Sequence, residues 1–435
     1  MRPSSAPRVV TSAALIAVTA CGHLSLTPAA RPAPGRWLFT FHIMRGLFRT
    51  PVELVTNSSG RLQANALGPQ LVTFNAASIV GDHLSLEGKS RFGGVHLAGR
   101  IERDSFTGQW RIRLLRGSVT ATRMSVPLSS PNDRLATFDA LRDTLSRRYY
   151  DSTFGGVNWD SLTRAYRPRA AAAQTDGRWL GAVREMLSRI HSSHLDIGAI
   201  RLAEAFPTRG GGGGTDESQF IQWRRIDARV GYLRIAQFNE GPAAIARLDS
   251  AFAILAALPG LVVDVRGNPG GTLGVAMRLG DYLLPAATPV GTFTSRRPSA
   301  PVDYSGYDVD EFIQLLRTNG TVRIISGGRV GRPYKGRVAL LIDGHCGSTT
   351  EAFAAVLSEL HRATLVGERT AGAMLSGTEV GLPGGWILRF PEADFRTPGG
   401  DRLEGRGVLP DVVAKRHWYR DRQMQMAILL AGGVR

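Results

Sequence analysis

Lysine and cysteine are both scarce in this chain of 435 residues. Only three of its 53 basic residues are lysines, Lys89, Lys335 and Lys415, and its two cysteines, Cys21 and Cys346, lie far apart. Neither a disulfide framework nor a cysteine-rich zinc site is therefore expected. The formal net charge of +17 is dispersed, without a basic run or an aromatic-basic repeat, so nucleic acid is not an expected partner.

The length and composition indicate a globular protein of two or three domains. Hydrophobic residues make up 43% of the chain and charged residues 20%. This balance allows a sizeable core and excludes global disorder.

The first residues have the features of an export signal. Two arginines precede the apolar stretch 9–20, which is too short to cross a bilayer as a mature helix but suits a signal-peptide core. The stretch ends in Val-Thr-Ala before Cys21, which resembles a bacterial lipobox. We therefore predict a lipoprotein-type signal peptide at 1–20, a lipidated Cys21 and a spacer at 21–34, with plain cleavage near 28–30 as the alternative.

An all-β domain is predicted at 35–126. Short alternating runs are broken here by glycine, asparagine and serine, which indicates a small sandwich or barrel of about six to eight strands. Three histidines, His42, His83 and His96, sit within the alternating runs, so we interpret them as side chains of a sheet face rather than as ligands. The domain is interpreted as accessory, and binding of a partner or a glycan is a further hypothesis for it.

Helical spacing predicts a helical domain at 133–208, followed by a linker at 209–229. Five consecutive glycines, 210–214, suit a flexible linker better than a phosphate loop, because no Gly-Lys-Ser/Thr follows. From 230 to 435, strand patterns alternate with helix patterns, which predicts an α/β core.

A glycine-rich turn follows the predicted strand at 261–265. Arg-Gly-Asn-Pro-Gly-Gly occupies 266–271, and such a turn brings bare backbone N–H groups close to a ligand, as an oxyanion site requires. A tight strand-to-helix connection is the alternative interpretation.

A serine lies between the next strand and its helix. The strand at 338–342 is followed by small and polar residues, and a helix opens at Ser348 or Thr349. Unpaired N–H groups and the positive end of the helix dipole can stabilise an alkoxide there. The alternative is that Ser348 is only an N-cap, with Glu351 in capping-box spacing.

These two segments, with Val-Gly-Glu-Arg-Thr-Ala-Gly at 366–372 and the glycine-rich stretch 397–411, occur in the order found in a known family. The chain from about Leu135 onward resembles the C-terminal processing and tricorn-type serine peptidases, which share the interphotoreceptor retinoid-binding protein fold. The resemblance implies an α/β peptidase core of the ClpP/crotonase-like type, preceded by the helical segment and the N-terminal all-β domain.

The resemblance also implies roles for individual residues. Ser348 matches the nucleophile, whereas the base lysine of the processing peptidases falls on Ala373, so a Ser-Lys dyad is not supported. The resemblance to the tricorn branch implies that His194 is the base and that Ser193 links the His194 side chain to Glu404. The implied oxyanion donors are backbone N–H groups, those of Gly270 or Gly271 and of Thr349.

Three other assignments stay open at this point. His191 and His194 form a His-x-x-His pair that could hold a metal, although no carboxylate cluster accompanies it. His345 is close enough in sequence to Ser348 to be an alternative base. Cys346 could be a nucleophile, but a structural thiol is favoured. No metal and no cofactor is expected.

We therefore expect an active serine endopeptidase or carboxy-terminal-type peptidase of the bacterial envelope that works through an acyl-enzyme. Peptides or proteins are its expected substrates, and the lipid on Cys21 ties it to a membrane. The segment 195–229 is too short for a PDZ domain. We therefore do not expect a PDZ domain to recognise the C-terminus of the substrate. A non-catalytic protein holding peptides or apolar ligands in the same cleft is the alternative, and homo-oligomer formation stays open.

Overall fold

The structure is a computed structural model. It describes residues 34–43, 46–69, 71–90, 93–205, 220–238, 241–328, 330–331, 333–415 and 421–432. The predicted signal peptide, the lipidation site Cys21 and the glycine run 210–214 lie outside these residues. Within the described ranges, no helix has both the length and the apolar character needed to cross a bilayer.

Eight antiparallel strands form the N-terminal sheet. They are β1 Gly35–Ile43, β2 Gly46–Thr56, β3 Leu62–Ala66, β4 Val72–Val80, β5 His83–Ser90, β6 Gly93–Glu102, β7 Ser105–Ile112 and β8 Leu115–Arg123. The order β3-β2-β1-β8-β7-β6-β5-β4 leaves β3 and β4 at the two edges, and these edges lie against each other. The sheet is thus a nearly closed barrel, and alternate apolar residues such as Trp37, Leu86 and Phe106 fill its interior.

Three helices follow the barrel: α1 Pro131–Arg148, α2 Trp159–Ala171 and α3 Asp176–Ser188. α1 begins at a capping box in which Ser130 and Asp133 satisfy each other's backbone N–H groups. The predicted apolar stripes, including Phe138, Leu141 and Val183, are buried in one cluster between the helices. A short strand, β9 Asp196–Gly198, and a short helix, α4 Leu202–Ala205, complete the segment.

The remaining described residues form an α/β core. Its strands are β10 Ile221–Arg225, β11 Val230–Ile235, β12 Gly260–Asp264, β13 Thr288–Ser295, β14 Val302–Tyr304, β15 Thr321–Ser326, β16 Arg337–Ile342, β17 Thr364–Gly367, β18 Leu375–Leu382, β19 Trp386–Arg396 and β20 Val412–Val413. Its helices are α5 Pro242–Leu255, α6 Leu273–Leu283, α7 Val309–Asn319, α8 Thr349–Glu359 and α9 Arg422–Leu430.

The core strands form two sheets. The order of the first is β10-β11-β12-β16-β17-β20, and that of the second is β14-β15-β13-β19-β18, with β9 paired to β19. Helices α5, α6 and α8 pack with both sheets in one large apolar cluster, and α9 covers the other face of the first sheet. The predicted fold class, an α/β core preceded by a helical segment and an all-β domain, is confirmed; the predicted domain boundaries remain predictions.

Three neighbouring parallel strands position the functional region. β12 pairs with β16, and β16 pairs with β17, all in parallel. Their carboxyl ends therefore lie at the same edge of the sheet, and the loops that leave them are neighbours. These loops are the glycine-rich turn 265–271, the serine turn 343–348 and the segment 368–374.

A buried charge network joins the barrel to the rest of the molecule. Arg36 of β1 donates to Asp176 of α3 at 3.0 and 2.8 Å, and neither side chain is exposed. Arg36 also donates to the carbonyl of Gly384, in the turn between β18 and β19, at 2.7 Å. Arg134 and Glu53 are buried beside this pair, so two positive and two negative charges balance. The network fixes barrel, helices and core relative to one another.

Replacement of Arg36 by methionine should destabilise the whole molecule. Asp176 would lose two charge-assisted hydrogen bonds in a dry environment, so we expect the free energy of unfolding to fall by about 3–5 kcal/mol. Denaturant unfolding measures this. The matched control is Arg323→Met, which breaks the exposed pair with Asp303 and should leave the unfolding midpoint nearly unchanged. Equal effects of the two substitutions would contradict the role given to the network.

Candidate active site

Ser348 lies immediately before α8 in a strained backbone conformation. Its φ is 54° and its ψ is −127°, a region that residues with a side chain rarely adopt. The Ser348 N–H donates to the Ala373 carbonyl at 2.9 Å, which helps to hold this conformation. Among the described residues its hydroxyl makes no hydrogen bond, and the side chain is partly exposed.

The capping alternative for Ser348 is wrong. The serine side chain makes no capping hydrogen bond. Glu351, which the capping box would use, accepts hydrogen bonds from Thr370, Gly372 and Ala373 in the neighbouring loop.

The glycine-rich turn packs directly against the serine. A Cβ on Gly270, whose φ is 100°, would lie 2.7 Å from the Ser348 Cβ, so only glycine fits there. The Gly270 N–H is already donated to Asn268 Oδ1 at 2.9 Å. The N–H groups of Gly271 and Thr349, by contrast, have no acceptor within the described part of the chain. Of the expected oxyanion donors, the N–H groups of Gly271 and Thr349 are thus available, whereas that of Gly270 is engaged by Asn268.

Ser193, His194 and Glu404 lie together although Glu404 is 211 residues from Ser193 in the sequence. The Ser193 N–H donates to Glu404 Oε1, and its hydroxyl donates to Oε2, each at 2.8 Å. The hydroxyl oxygen also lies 2.8 Å from His194 Nδ1. These three side chains form the chain of contacts that the resemblance implied.

The contacts define the tautomer of His194. A hydroxyl has one proton, and Ser193 donates it to the carboxylate, so Nδ1–H must be the donor in the contact with Ser193. The neutral imidazole therefore carries its proton on Nδ1 and leaves Nε2 as a hydrogen-bond acceptor. No group in the described ranges donates to Nε2.

The surroundings of His194 favour its neutral form. Burial lowers its pKa below the ordinary 6.5, the negative charge of Glu404 opposes this, and the nearby Arg389 adds to the lowering. The ring packs on the backbone of β18, where a Cβ on Gly377 would lie 3.1 Å from the imidazole Cδ2. At neutral pH the side chain is thus a free base.

One short segment contacts both the serine and the histidine. The Ala373 carbonyl accepts from the Ser348 N–H, and Gly377, four residues later, lies against the His194 ring. Between them, the Met374 N–H donates to Glu404 Oε2 at 2.9 Å. The segment 373–377 therefore brings all the implied catalytic residues into one region.

The other candidates from the sequence lie elsewhere or are inert. The His345 imidazole is 73% exposed and lies 3.8 Å from Asp343, without a bond to Ser348. Cys346 is fully buried, which raises the pKa of its thiol to about 12. It donates to the Val265 carbonyl and is a structural thiol.

The His-x-x-His pair does not share a helical face. α3 ends at Ser188, and both His191 and His194 lie after it with positive φ, 51° and 60°. Within the described ranges, no three histidine, cysteine, aspartate or glutamate side chains are grouped so as to hold a metal ion.

Two positioning residues were missed in the sequence. Asp343 accepts from the backbone N–H groups of Gly267 and His345, which joins the glycine-rich turn to the serine turn. Asn268 bonds Gly270 through its side chain and Gly347 through its carbonyl. Asp343 directly follows the buried strand β16, and Asn268 lies in the turn four residues after β12; these positions were the available signal.

An apolar pocket with a volume of about 30 Å³ lies beside the serine. Thr349 and Met374, the neighbours of Ser348 and Ala373, form part of its wall. The other lining side chains are almost all apolar and include Leu273, Met277, Val290, Phe293, Phe353 and Phe395. The lining suits an apolar side chain.

Sequence comparison identifies the core and the helical segment separately. The sequence profile of peptidase family S41 matches residues 229–414, and that of the tricorn protease C1 domain matches residues 130–188. The core of this chain is thus similar to peptidase family S41. The resemblance inferred from the four motifs is therefore confirmed.

Named relatives of the S41 core match only part of the chain. A carboxy-terminal-processing protease of Bartonella bacilliformis is 29% identical over 196 residues, 44% of this chain and 40% of that protein. A carboxyl-terminal-processing protease of Synechocystis is 28% identical over 219 residues, 47% and 44% of the two chains. This chain thus spans less than half the length of these relatives.

A solved structure from Parabacteroides merdae, described as a candidate peptidase, shares the fold. It superimposes with a TM-score of 0.52 at 21% identity, over 70% of this chain and 98% of that chain.

The substitution Glu404→Gln should lower the pKa of His194 further, because the negative charge of Glu404 stabilises the imidazolium. Imidazole NMR titration of the protein and of Glu404→Gln measures this, with His194→Gln to assign the signal. We expect a midpoint below 6.5 in the unmodified protein and a lower one in the variant. A midpoint that rises in Glu404→Gln would contradict the assigned contacts.

Proposed function

We propose that the protein is a serine peptidase in which Ser348 is the nucleophile and His194 the general base. The observation that carries the proposal is the Glu404–Ser193–His194 chain, which leaves Nε2 unprotonated. The segment 373–377 contacts both His194 and Ser348, whose hydroxyl is free at a helix N-terminus. Relatives named as carboxy-terminal-processing proteases support the same reaction class.

Each group has a defined task in the proposed mechanism. His194 Nε2 takes the Ser348 proton as Oγ attacks the peptide carbonyl carbon. The N–H groups of Gly271 and Thr349 stabilise the resulting oxyanion. The imidazolium then protonates the leaving amine, and water hydrolyses the acyl-enzyme with His194 again as the base. Glu404, through Ser193, keeps the proton on Nδ1 and stabilises the charged imidazolium.

A non-catalytic role as a binding protein is the second candidate. The observation that favours it is the apolar pocket beside Ser348, which could hold an apolar ligand without any reaction. The two candidates differ in whether Ser348 reacts.

A broad serine-hydrolase phosphonate should add once to the protein, at Ser348. Intact mass spectrometry should find no adduct on Ser348→Ala and labelling slowed by about 10²- to 10⁴-fold on His194→Ala. The control, His345→Ala, should label at the normal rate because its exposed ring is not bonded to the serine. A folded protein that gains no adduct would favour the binding role, and normal labelling of His194→Ala would show that the base is misassigned.

We further propose that substrates carry an apolar residue immediately before the scissile bond. The pocket wall includes Thr349, whose N–H is assigned to the oxyanion, so the side chain of the residue that supplies the attacked carbonyl can enter it. Almost all of its lining atoms are apolar, so a charged side chain would be buried there without a partner.

Narrowing the pocket should change the preferred size of that residue. Val290 is a partly buried wall residue, and Val290→Trp fills space. With two peptides that differ only in alanine or phenylalanine at this position, kcat/KM for the phenylalanine peptide should fall at least about tenfold relative to the alanine peptide. Ile313→Trp, at a partly buried site outside the pocket, is the matched control. An unchanged ratio in Val290→Trp would exclude the pocket as the specificity site.

The export signal, the lipid anchor on Cys21 and the envelope location complete the proposal. They rest on the N-terminal sequence and on the bacterial processing-protease relatives. Attachment to the outer face of a membrane would place the enzyme among exported proteins, which supply peptide substrates. Homo-oligomer formation is left as a hypothesis.

A further inference from the structure

Glu351 is a fully buried carboxylate one helical turn after the serine. It is the third residue of α8, with 0% of its surface exposed. Its Oε1 accepts from Thr370 Oγ1 at 2.5 Å and from the Gly372 N–H at 2.7 Å, and its Oε2 accepts from the Ala373 N–H at 2.7 Å. These three hydrogen-bond donors all belong to the segment that follows β17, and the nearby Ser348 N–H also favours the charged form of the carboxyl.

That segment, 370–374, is bonded to both halves of the proposed site. On the nucleophile side, the Ala371 N–H donates to the Cys346 carbonyl, and the Ala373 carbonyl accepts from Ser348. On the base side, the Met374 N–H donates to Glu404. The Gly372 carbonyl accepts from the Gly405 N–H at 2.8 Å, next to Glu404. A displacement of the segment would therefore move Ser348 and Glu404 relative to each other.

We propose that Glu351 is a positioning residue for the reaction. By fixing segment 370–374, it holds the Ser348 backbone and the Glu404 carboxylate in a fixed position relative to each other. The inference rests on the proposed function. It goes beyond the reading of Glu351 as a helix cap, because three donors of the loop after β17 bind its oxygens.

A carboxylate is required at this position because three donors converge on it. Glutamine has one acceptor oxygen, so one end of its side chain would present an NH₂ group to an N–H donor. With the oxygen turned toward Thr370 and Gly372, the Ala373 N–H would face that NH₂ group. The peptide unit next to the carbonyl that holds Ser348 would then have to shift.

The test compares Glu351→Gln with Glu53→Gln in the full chain. Glu53 is a close match, with 1% exposure and likewise three donors: the backbone N–H groups of Asp176 and Gly177 and the side-chain amide of Asn65. Burial raises the pKa of both carboxyls. Glu53 lies between the barrel and α3, outside the proposed site.

Phosphonate labelling of Ser348 and steady-state cleavage of a peptide are measured well below the unfolding midpoints of both variants. Glu351→Gln should reduce the labelling rate and kcat by about ten- to a hundredfold with KM little changed. Glu53→Gln should lose comparable stability and keep both rates. If Glu351→Gln does not fold, Thr370→Val removes one of the three donors and should reduce both rates by about three- to tenfold.

The outcomes separate this inference from the proposed function. A labelled wild type with equal rates in both glutamine variants overturns the positioning role alone. Loss of stability without loss of kcat in Glu351→Gln does the same, because it describes a structural residue. A folded wild type that gains no adduct overturns the proposed function and, with it, the inference.

Discussion

Parallel pairing of β12, β16 and β17 is the constraint on which the whole site depends. The carboxyl ends of parallel strands lie at the same edge of the sheet, so the loops that follow them are neighbours. These loops lie beyond the hydrogen-bond ladder of the sheet. Backbone groups in such loops still need partners. Here the partners are buried side chains: Asp343, Asn268 and Glu351 each bond to loop backbone. The polar interior of the site is thus a consequence of the sheet.

The parts of the site that are local in sequence could be predicted. A buried strand, a short polar turn and a helix opening placed Ser348 before α8, and the glycine-rich turn after β12 indicated close packing, which Gly270 shows. The contact between Ser193 and Glu404 could not come from spacing, because 211 residues separate them. It was implied only by the resemblance to the family.

Other features depend on directions that a sequence does not contain. Glu351 has the spacing of a capping box, and only the position of the loop after β17 decides that its carboxylate points there instead. Alternating strands fit a sandwich as well as a barrel, and the approach of β3 to β4 distinguishes the two. The choice between Gly270 and Gly271 as donor likewise depended on the side chain of Asn268, which uses the first N–H.

The buried network around Arg36 also bears on the linker between β8 and α1, residues 124–130. The predicted all-β and helical domains meet in this linker, yet the two sides are joined by buried charged groups. A chain cut by a protease in this linker would remain a single noncovalent particle. Exchange of the barrel for one from another peptidase would require Asp176 and the turn at Gly384 to be exchanged with it. The part that can be exchanged between proteins is therefore set by the buried charges, which also bind Ser129 of the linker.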